Sequence, residues 1–278
     1  GYYYALNEGG DERVALAIRD HYLPKSAQDQ IPNSDYGCLL SLADRLDKLV
    51  GIFAIGQKPS GDKDPFALRR AAIGLIIIMI KKGYHLALQP LLQQAIANYG
   101  DSLKTTDVAE QVLAFIKDRL RYWYQQQGLS VDHFYAVASN ELTDIYDFHL
   151  RIKAVEKFRQ LPQAQALAAA HKRVHNILTK QDLNQAPAFS MDLVQLEAEQ
   201  QLAMAVIEQE KLIQPLMQQH NYQQVLQSLA GLQTHVDGFF AEVMVNVAEP
   251  ALRLNRLALL KRLYQLFLQV ADIGRLQS

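Results

Sequence analysis

The chain has 278 residues, 49% of them hydrophobic and 21% charged, with a net charge of −1 and a pI near 6.8. That length suits about two soluble globular domains. A near-neutral balance excludes a global basic field for nucleic acid, so any RNA contact must come from local patches. The single Cys38 excludes an intramolecular disulfide and a cysteine zinc site, and it fits a reducing cytoplasm. The longest apolar run, AAIGLIIIMI at 71–80, is about half a membrane span and reads as a buried helix. The opening GYYYALNEGGDE has no basic or apolar signal region and no methionine, and it reads as the middle of a domain in a longer protein.

In chain order, DERVALAIRDHYL (11–23) spaces Val14, Ala17, Ile18 and Tyr22 as one helical face, stopped by Pro24. YGCLLSLADRLDKLVGIFAIG (36–56) does the same with Leu39, Leu42, Leu46, Leu49 and Val50. Pro65 stands near the first turn of the next helix, with Asp64 before it as a cap and Gly83 at its end. DVAEQVLAFIKDRLRYWYQQQG (107–128) opens with Asp107 and Glu110 at capping-box spacing. Its expected buried stripe is Val108, Val112, Phe115, Ile116 and Trp123. Further helices are expected over 130–139, 142–160, 163–180, 190–219, 221–231, 236–246 and 250–270. No alternating strand and no repeat is evident, so the fold class is all-α. QAPAFSMD (185–192) interrupts the helical pattern, and a domain start is expected near residue 162. From 165 to 278 the chain carries 9 Lys+Arg and 10 Asp+Glu, so that part too is near neutral.

Three blocks carry a resemblance. SLADRLDKLVGIFAIGQKPSGDKDPFALRRAA (41–72), AAAHKRVHNIL (168–178) and VDGFFAEVMVNVAEPALRLNRLALLKRLYQLFLQVADIGRLQ (236–277) stand in that order. Together they resemble the β subunit of the bacterial two-subunit glycyl-tRNA synthetase. The family usually has Asn where this chain has His171, and a small residue where it has His175. The resemblance implies an HD-like helical region followed by a DALR-type anticodon-binding helix bundle. The implied division is 1–95 for the C-terminal part of the HD-like domain, 96–161 for a helical linker or body, and 162–278 for the anticodon-binding domain. It implies glycine tRNA and the α subunit as partners, with neither a membrane nor DNA. It also implies that joining glycine to its tRNA uses ATP and Mg²⁺ in the α subunit, so no cofactor is expected in this chain. The residues agree, since no Gly-rich loop opens a helix and no nucleophile–base pair is evident. No catalytic residue and no metal ligand are therefore expected here.

Several side-chain groups compete for a role. HKRVHNIL presents Lys172, Arg173 and Asn176, and ALRLNRLALLKR presents Arg253, Asn255, Arg256 and Arg262. These seven are the expected tRNA-binding residues. Glycine anticodons end in two cytosines, whose acceptors Arg and Asn can satisfy. The competing reading is that these residues pair with carboxylates and tie helices together. The stiff loop 56–65 and the residues after it supply Lys58, Lys63, Arg69 and Arg70 as secondary tRNA candidates, against a purely structural connector. Lys117, Arg119 and Arg121 interleave with Tyr122, Trp123 and Tyr124, which suits base stacking, although Trp123 fits the apolar stripe.

LADRLDKL (42–49) resembles the last metal-ligand segment of HD phosphohydrolases, with Asp44 as the ligand. Only His21 precedes it as a possible imidazole, so a metal phosphohydrolase is the alternative reading. His171 and His175 have the i, i+4 spacing of zinc ligands without a third by local spacing. An arginyl-type DALR domain and a scaffold for the partner subunit are the remaining alternatives.

Overall fold

The computed structural model describes residues 1–100, 107–140, 143–181 and 188–276. Among them the regular elements are helices, with two isolated bridges, Ser60–Lys63 and Ala87–Asp144. The chain divides into two units, 1–129 with 142–147, and 130–141 with 148–278. The expected middle region, 96–161, is thus shared between the two units. None of the described helices is long and apolar enough to cross a membrane.

The first unit contains α1 (Tyr2–Asn7), α2 (Glu12–Asp20), α3 (Asp35–Ala54), α4 (Leu68–Lys82), α5 (Leu88–Ala97) and α6 (Val108–Gln126). Its core forms where α3, α4 and α6 pack together. The apolar run on α4 is buried over Leu75–Met79, as expected of a helix apolar on nearly every side. Ser34 caps α3 by accepting from the Gly37 N–H at 3.1 Å.

The expected faces hold only in part. Leu42, Leu46, Leu49 and Val50 are buried, whereas Leu39 is 52% exposed. Of the face expected over 11–23, Ala17 is buried and Ile18 half-buried, whereas Val14 on α2 and Tyr22 beyond its end face solvent, and Ala15 and Asp20 turn inward. On α6 the capping box does not form, and the Asp107 carboxylate accepts from the Gln111 side chain. Its core stripe runs Val108, Val112, Ile116, Leu120 and Tyr124, so Tyr124 takes the place expected of Trp123. Trp123 and Tyr124 both follow Leu120 at helical spacing, and the rotation of α6 against its neighbours sets the choice. Phe115 is half-buried against Phe53, with ring centroids 5.3 Å apart.

α4 begins three residues after Pro65. Ala67 takes a left-handed conformation (φ 55°), and Asp64 caps from outside the helix by accepting the N–H groups of Leu68 and Arg69 at 2.8 and 3.0 Å. Gly83, at φ 67°, closes the helix as expected.

The second unit contains α7 (Val131–Ala138), all but the first turn of α8 (Ile145–Phe158), α9 (Ala164–Leu178), α10 (Glu197–Gln218), α11 (Tyr222–Ala230), α12 (Gln233–Glu242) and α13 (Pro250–Leu268). Short 3₁₀ turns cover Met191–Leu193 and Ile273–Leu276. α13 has leucines on every side, and its buried residues run from Leu252 to Phe267. α9, α10 and α11 pack around it.

Burial also sets a pH dependence. On α8, burial first and then the charge of Lys153 pull the His149 imidazole down from 6.5 to about 4, against the opposing pull of Glu156. Burial and Arg159 lower His133 in the same direction. Between about pH 6.5 and 4 the unfolded chain therefore holds more protons than the folded one. The stability contributed by neutral His149 is complete above pH 6.5 and is lost as pH falls toward 4. Urea midpoints should drop from pH 7 to pH 5, and His149→Gln should show a smaller drop. An equal drop in both chains rules this origin out.

Candidate nucleic-acid interface

α9 is built to face two ways. Its alanine-rich side buries Ala164, Leu167, Ala168, His171 and Val174. Its opposite side exposes Lys172, Arg173 and Asn176. The 3₁₀ turn Ile273–Leu276 seats against α9 because Gly274 has no side chain. A Cβ there would stand 3.2 Å from the Lys172 backbone nitrogen and 3.3 Å from His171 Nδ1. His171 is held inside, stacked on Tyr264 at 4.3 Å between centroids, with Nε2 3.3 Å from the Tyr264 carbonyl and Nδ1 3.4 Å from Asp272 Oδ1. His175 reaches the hydroxyl of the same Tyr264, with Nδ1 3.0 Å away. Both imidazoles therefore engage one tyrosine, which fixes the rotation of α9 and so the direction of its cationic side.

That side lines a cleft of about 380 Å³ with Lys172, Arg173, Asn176, Lys180, Gln181 and Asn246. The Arg173 guanidinium lies 4.1 Å from the centroid of the half-buried Phe240 ring, a cation–π arrangement that holds its plane while leaving its donors available. Cations and amides in one concavity, with the guanidinium plane of Arg173 held on a ring behind it, suit an unstacked base with its phosphates.

The α13 candidates behave differently. Arg256 is buried. It donates from Nε and Nη2 to Glu199 Oε2 at 3.4 and 3.3 Å, and from Nη1 to the Met244 carbonyl at 2.8 Å. Asn255 is buried too. Its Oδ1 accepts from the Ser190 N–H at 2.8 Å, and its Nδ2 donates to the Ser190 carbonyl at 2.9 Å. Their expected direct contact with tRNA is corrected to a structural role, because neither side chain reaches the surface. Arg262 is half-exposed and bidentate to Glu210. Arg253 donates to the Val247 carbonyl at 3.4 Å. Arg253 and Arg256 thus hold the segment 244–247, whose Asn246 lines the α9 cleft.

In the first unit, the loop before α4 closes on itself through paired backbone bonds between Ser60 and Lys63 at 3.1 and 2.9 Å. Arg69 donates to the Gly61 carbonyl and braces that loop. Lys58, Lys63 and Arg70 are exposed. Asp44 lies 3.9 Å from Lys48 Nζ and lines a cleft with Lys25, Lys48 and Arg70. A cationic lining opposes a divalent metal, which disfavours the metal phosphohydrolase reading. No group of three or more metal-ligating residues occurs among the described residues.

Two family models match. Glycyl-tRNA synthetase beta subunit covers residues 1–139, and DALR anticodon binding domain covers residues 167–273. The chain belongs to the glycyl-tRNA synthetase beta subunit family. Its relatives include the glycine–tRNA ligase beta subunits of Chromohalobacter salexigens (47% identical over 278 residues), Actinobacillus pleuropneumoniae (46% over 277) and Salmonella typhi (45% over 277). Each match covers this chain completely and 40% of the relative, so the chain spans about two-fifths of the length of these beta subunits.

The DALR match begins at Leu167, inside α9, and ends at Ile273, in the turn that packs on α9. It therefore contains most of the α9 cleft's frame. Lys180 was legible in the sequence as the third member of the i, i+4, i+8 series after Lys172 and Asn176. Asn246 and Phe240 had no local signal, because only packing brings the end of α12 and the segment after it beside α9.

Proposed function

We propose that this chain is the tRNA-recognition part of a glycyl-tRNA synthetase beta subunit and binds glycine tRNA, including its anticodon. The whole enzyme is a glycine–tRNA ligase in the cytoplasm. ATP- and Mg²⁺-dependent activation of glycine and its transfer require the alpha subunit, and this chain supplies recognition alone. The observation that carries the reading is the α9 cleft, whose exposed Lys172, Arg173 and Asn176 lie within the matched DALR domain.

Within that cleft the side chains divide by chemistry. Arg173 and Asn176 offer directed donors to the O2 and N3 acceptors of cytosine, and the Phe240 ring holds the Arg173 plane in place. Lys172 and Lys180 are compact charges suited to phosphates, which position an RNA without reading it. Arg253 and Arg256 act at one remove by holding the segment that carries Asn246. Arg262 remains a peripheral candidate. Lys58, Lys63 and Arg70 are secondary phosphate contacts, with Arg69 bracing their loop.

The test compares glycine tRNA carrying its native anticodon with a version in which one cytosine is replaced. Arg173→Ala should reduce discrimination at that base by about 1–3 kcal/mol, with unchanged melting. Lys172→Gln with Lys180→Gln should weaken both RNAs equally and lower the log–log salt slope by roughly 0.7–0.9 for each phosphate no longer neutralised. Undiminished discrimination in stable Arg173→Ala and Asn176→Ala chains rules out this cleft as the anticodon reader.

A further inference from the structure

A second concavity lies wholly within the first unit. It measures about 360 Å³, and its charged lining is Lys25, Asp44, Arg45, Lys48 and Arg70, with Tyr22 among its walls. The charges come from three elements. Lys25 follows the turn after α2, Asp44 and Lys48 stand one turn apart on α3, and Arg70 lies in the first turn of α4.

Arg45 gives this cleft its shape. Its Nη1 donates to the carbonyls of His21 and Ser41, both at 3.1 Å, and its Nη2 to those of Tyr22 and Pro24 at 3.2 and 3.0 Å. The Arg45 guanidinium is thus turned onto backbone oxygens and pins the turn that presents Lys25. Arg45 is a positioning residue.

The remaining cations are only partly neutralised. Neither Lys25 nor Arg70 forms a salt bridge among the described residues, and Lys48 has only the long 3.9 Å contact to Asp44. Asp29 turns its carboxylate onto the backbone N–H groups of Lys25 and Gln30 at 2.8 Å each. Asp64 already caps the start of α4, so the positive character of the cleft resides in side chains. Three cations against the single carboxylate of Asp44 leave an excess of positive charge in the concavity, which an incoming anion offsets. A tetrahedral oxyanion has enough acceptor oxygens to meet two ammonium groups and a guanidinium at once. The volume also suits a ligand of mononucleotide size.

We propose that this cleft is a phosphate-ester site, held by Lys25, Lys48 and Arg70 and shaped by Arg45. It lies outside the matched DALR domain and does not depend on the α9 cleft. The phosphate can belong to a free mononucleotide or to an RNA backbone, and one experiment separates the two. The chain is titrated calorimetrically with adenosine 5′-monophosphate, with adenosine, and with a short RNA duplex that has no anticodon loop. Parent, Arg70→Gln, Lys25→Gln, Asp44→Asn and Arg173→Ala chains are compared, each with its melting temperature.

The expected result is an affinity lowered about tenfold by Arg70→Gln and by Lys25→Gln, raised by Asp44→Asn and unchanged by Arg173→Ala, with unaltered melting. If the monophosphate shows this pattern and adenosine does not bind, the ligand is a free phosphate ester. If only the duplex shows it, the ligand is a backbone phosphate. If neither affinity falls in Arg70→Gln and Lys25→Gln chains that melt like the parent, the proposal is overturned, and the anticodon reading stands unaffected.

Discussion

Glu199→Ala should destabilise the second unit by about 3–5 kcal/mol, because it leaves the Arg256 guanidinium buried and unpaired. Both members of the pair are almost wholly enclosed, with side-chain exposures of 4% for Arg256 and 0% for Glu199. In a unit of this size that loss lowers the melting temperature by about 6–20 °C. Arg256→Ala should cost a similar amount, since it strands the carboxylate and frees the Met244 carbonyl. Replacing both by methionine should recover much of the loss, because an apolar pair of similar volume carries no desolvation cost.

The double variant also separates structure from recognition. It should melt near the parent and still prefer the native glycine anticodon. A double variant that is stable yet has lost the preference would show that Arg256 serves recognition beyond stability, through its hold on the segment 244–247 that Arg253 then fails to replace.

Arg45→Ala should destabilise the first unit by about 3–5 kcal/mol, since several carbonyls lose their donor together and each unsatisfied buried acceptor costs about 1–3 kcal/mol. Gly74 packs directly on this side chain, and a Cβ there would lie closer than van der Waals contact to Arg45 Nε. The guanidinium cannot give way, because its bonds to the 21–24 turn and to Ser41 hold it. Gly74→Ala should therefore destabilise the parent chain.

In an Arg45→Ala background the same substitution should reverse sign. It gains about 1 kcal/mol from helix propensity once the clash is gone. A double-mutant cycle by urea unfolding measures this coupling. Additive effects would mean that Gly74 and Arg45 do not share one packing constraint.

An arginine can serve recognition only while some of its donors remain unclaimed by the protein. Arg256 and Arg45 direct theirs to a carboxylate and to carbonyls of their own chain, so their loss is read in melting. Arg173 is exposed above Phe240, and Arg70 is exposed without a salt bridge among the described residues, so their loss is read in binding.

Residue periodicity by itself determined that this chain is all-α and that 71–80 is a buried helix. Those features depend on 3.6-residue spacing and on apolar content, both of which are local. The three blocks 41–72, 168–178 and 236–277 were enough to point to the family. Local spacing was also enough for the Gly83 stop, because only a residue tolerant of positive φ ends a helix that way.

Tertiary structure alone decided which cations are available. Lys172, Arg173, Arg253 and Arg256 look alike in the sequence. Burial separates them, because α13 has leucines on every side and cannot present Asn255 and Arg256 to solvent, whereas α9 has one small-residue side and leaves the other open. The choice of Tyr124 over Trp123 depended in the same way on a rotation of α6 set by its neighbours. Asn246 joined the α9 cleft, and Lys25 met Arg70, although each pairing joins residues 45 or more positions apart in the chain. No spacing rule reaches across such separations, because they are closed by packing and by the buried arginines that hold the connecting segments in place.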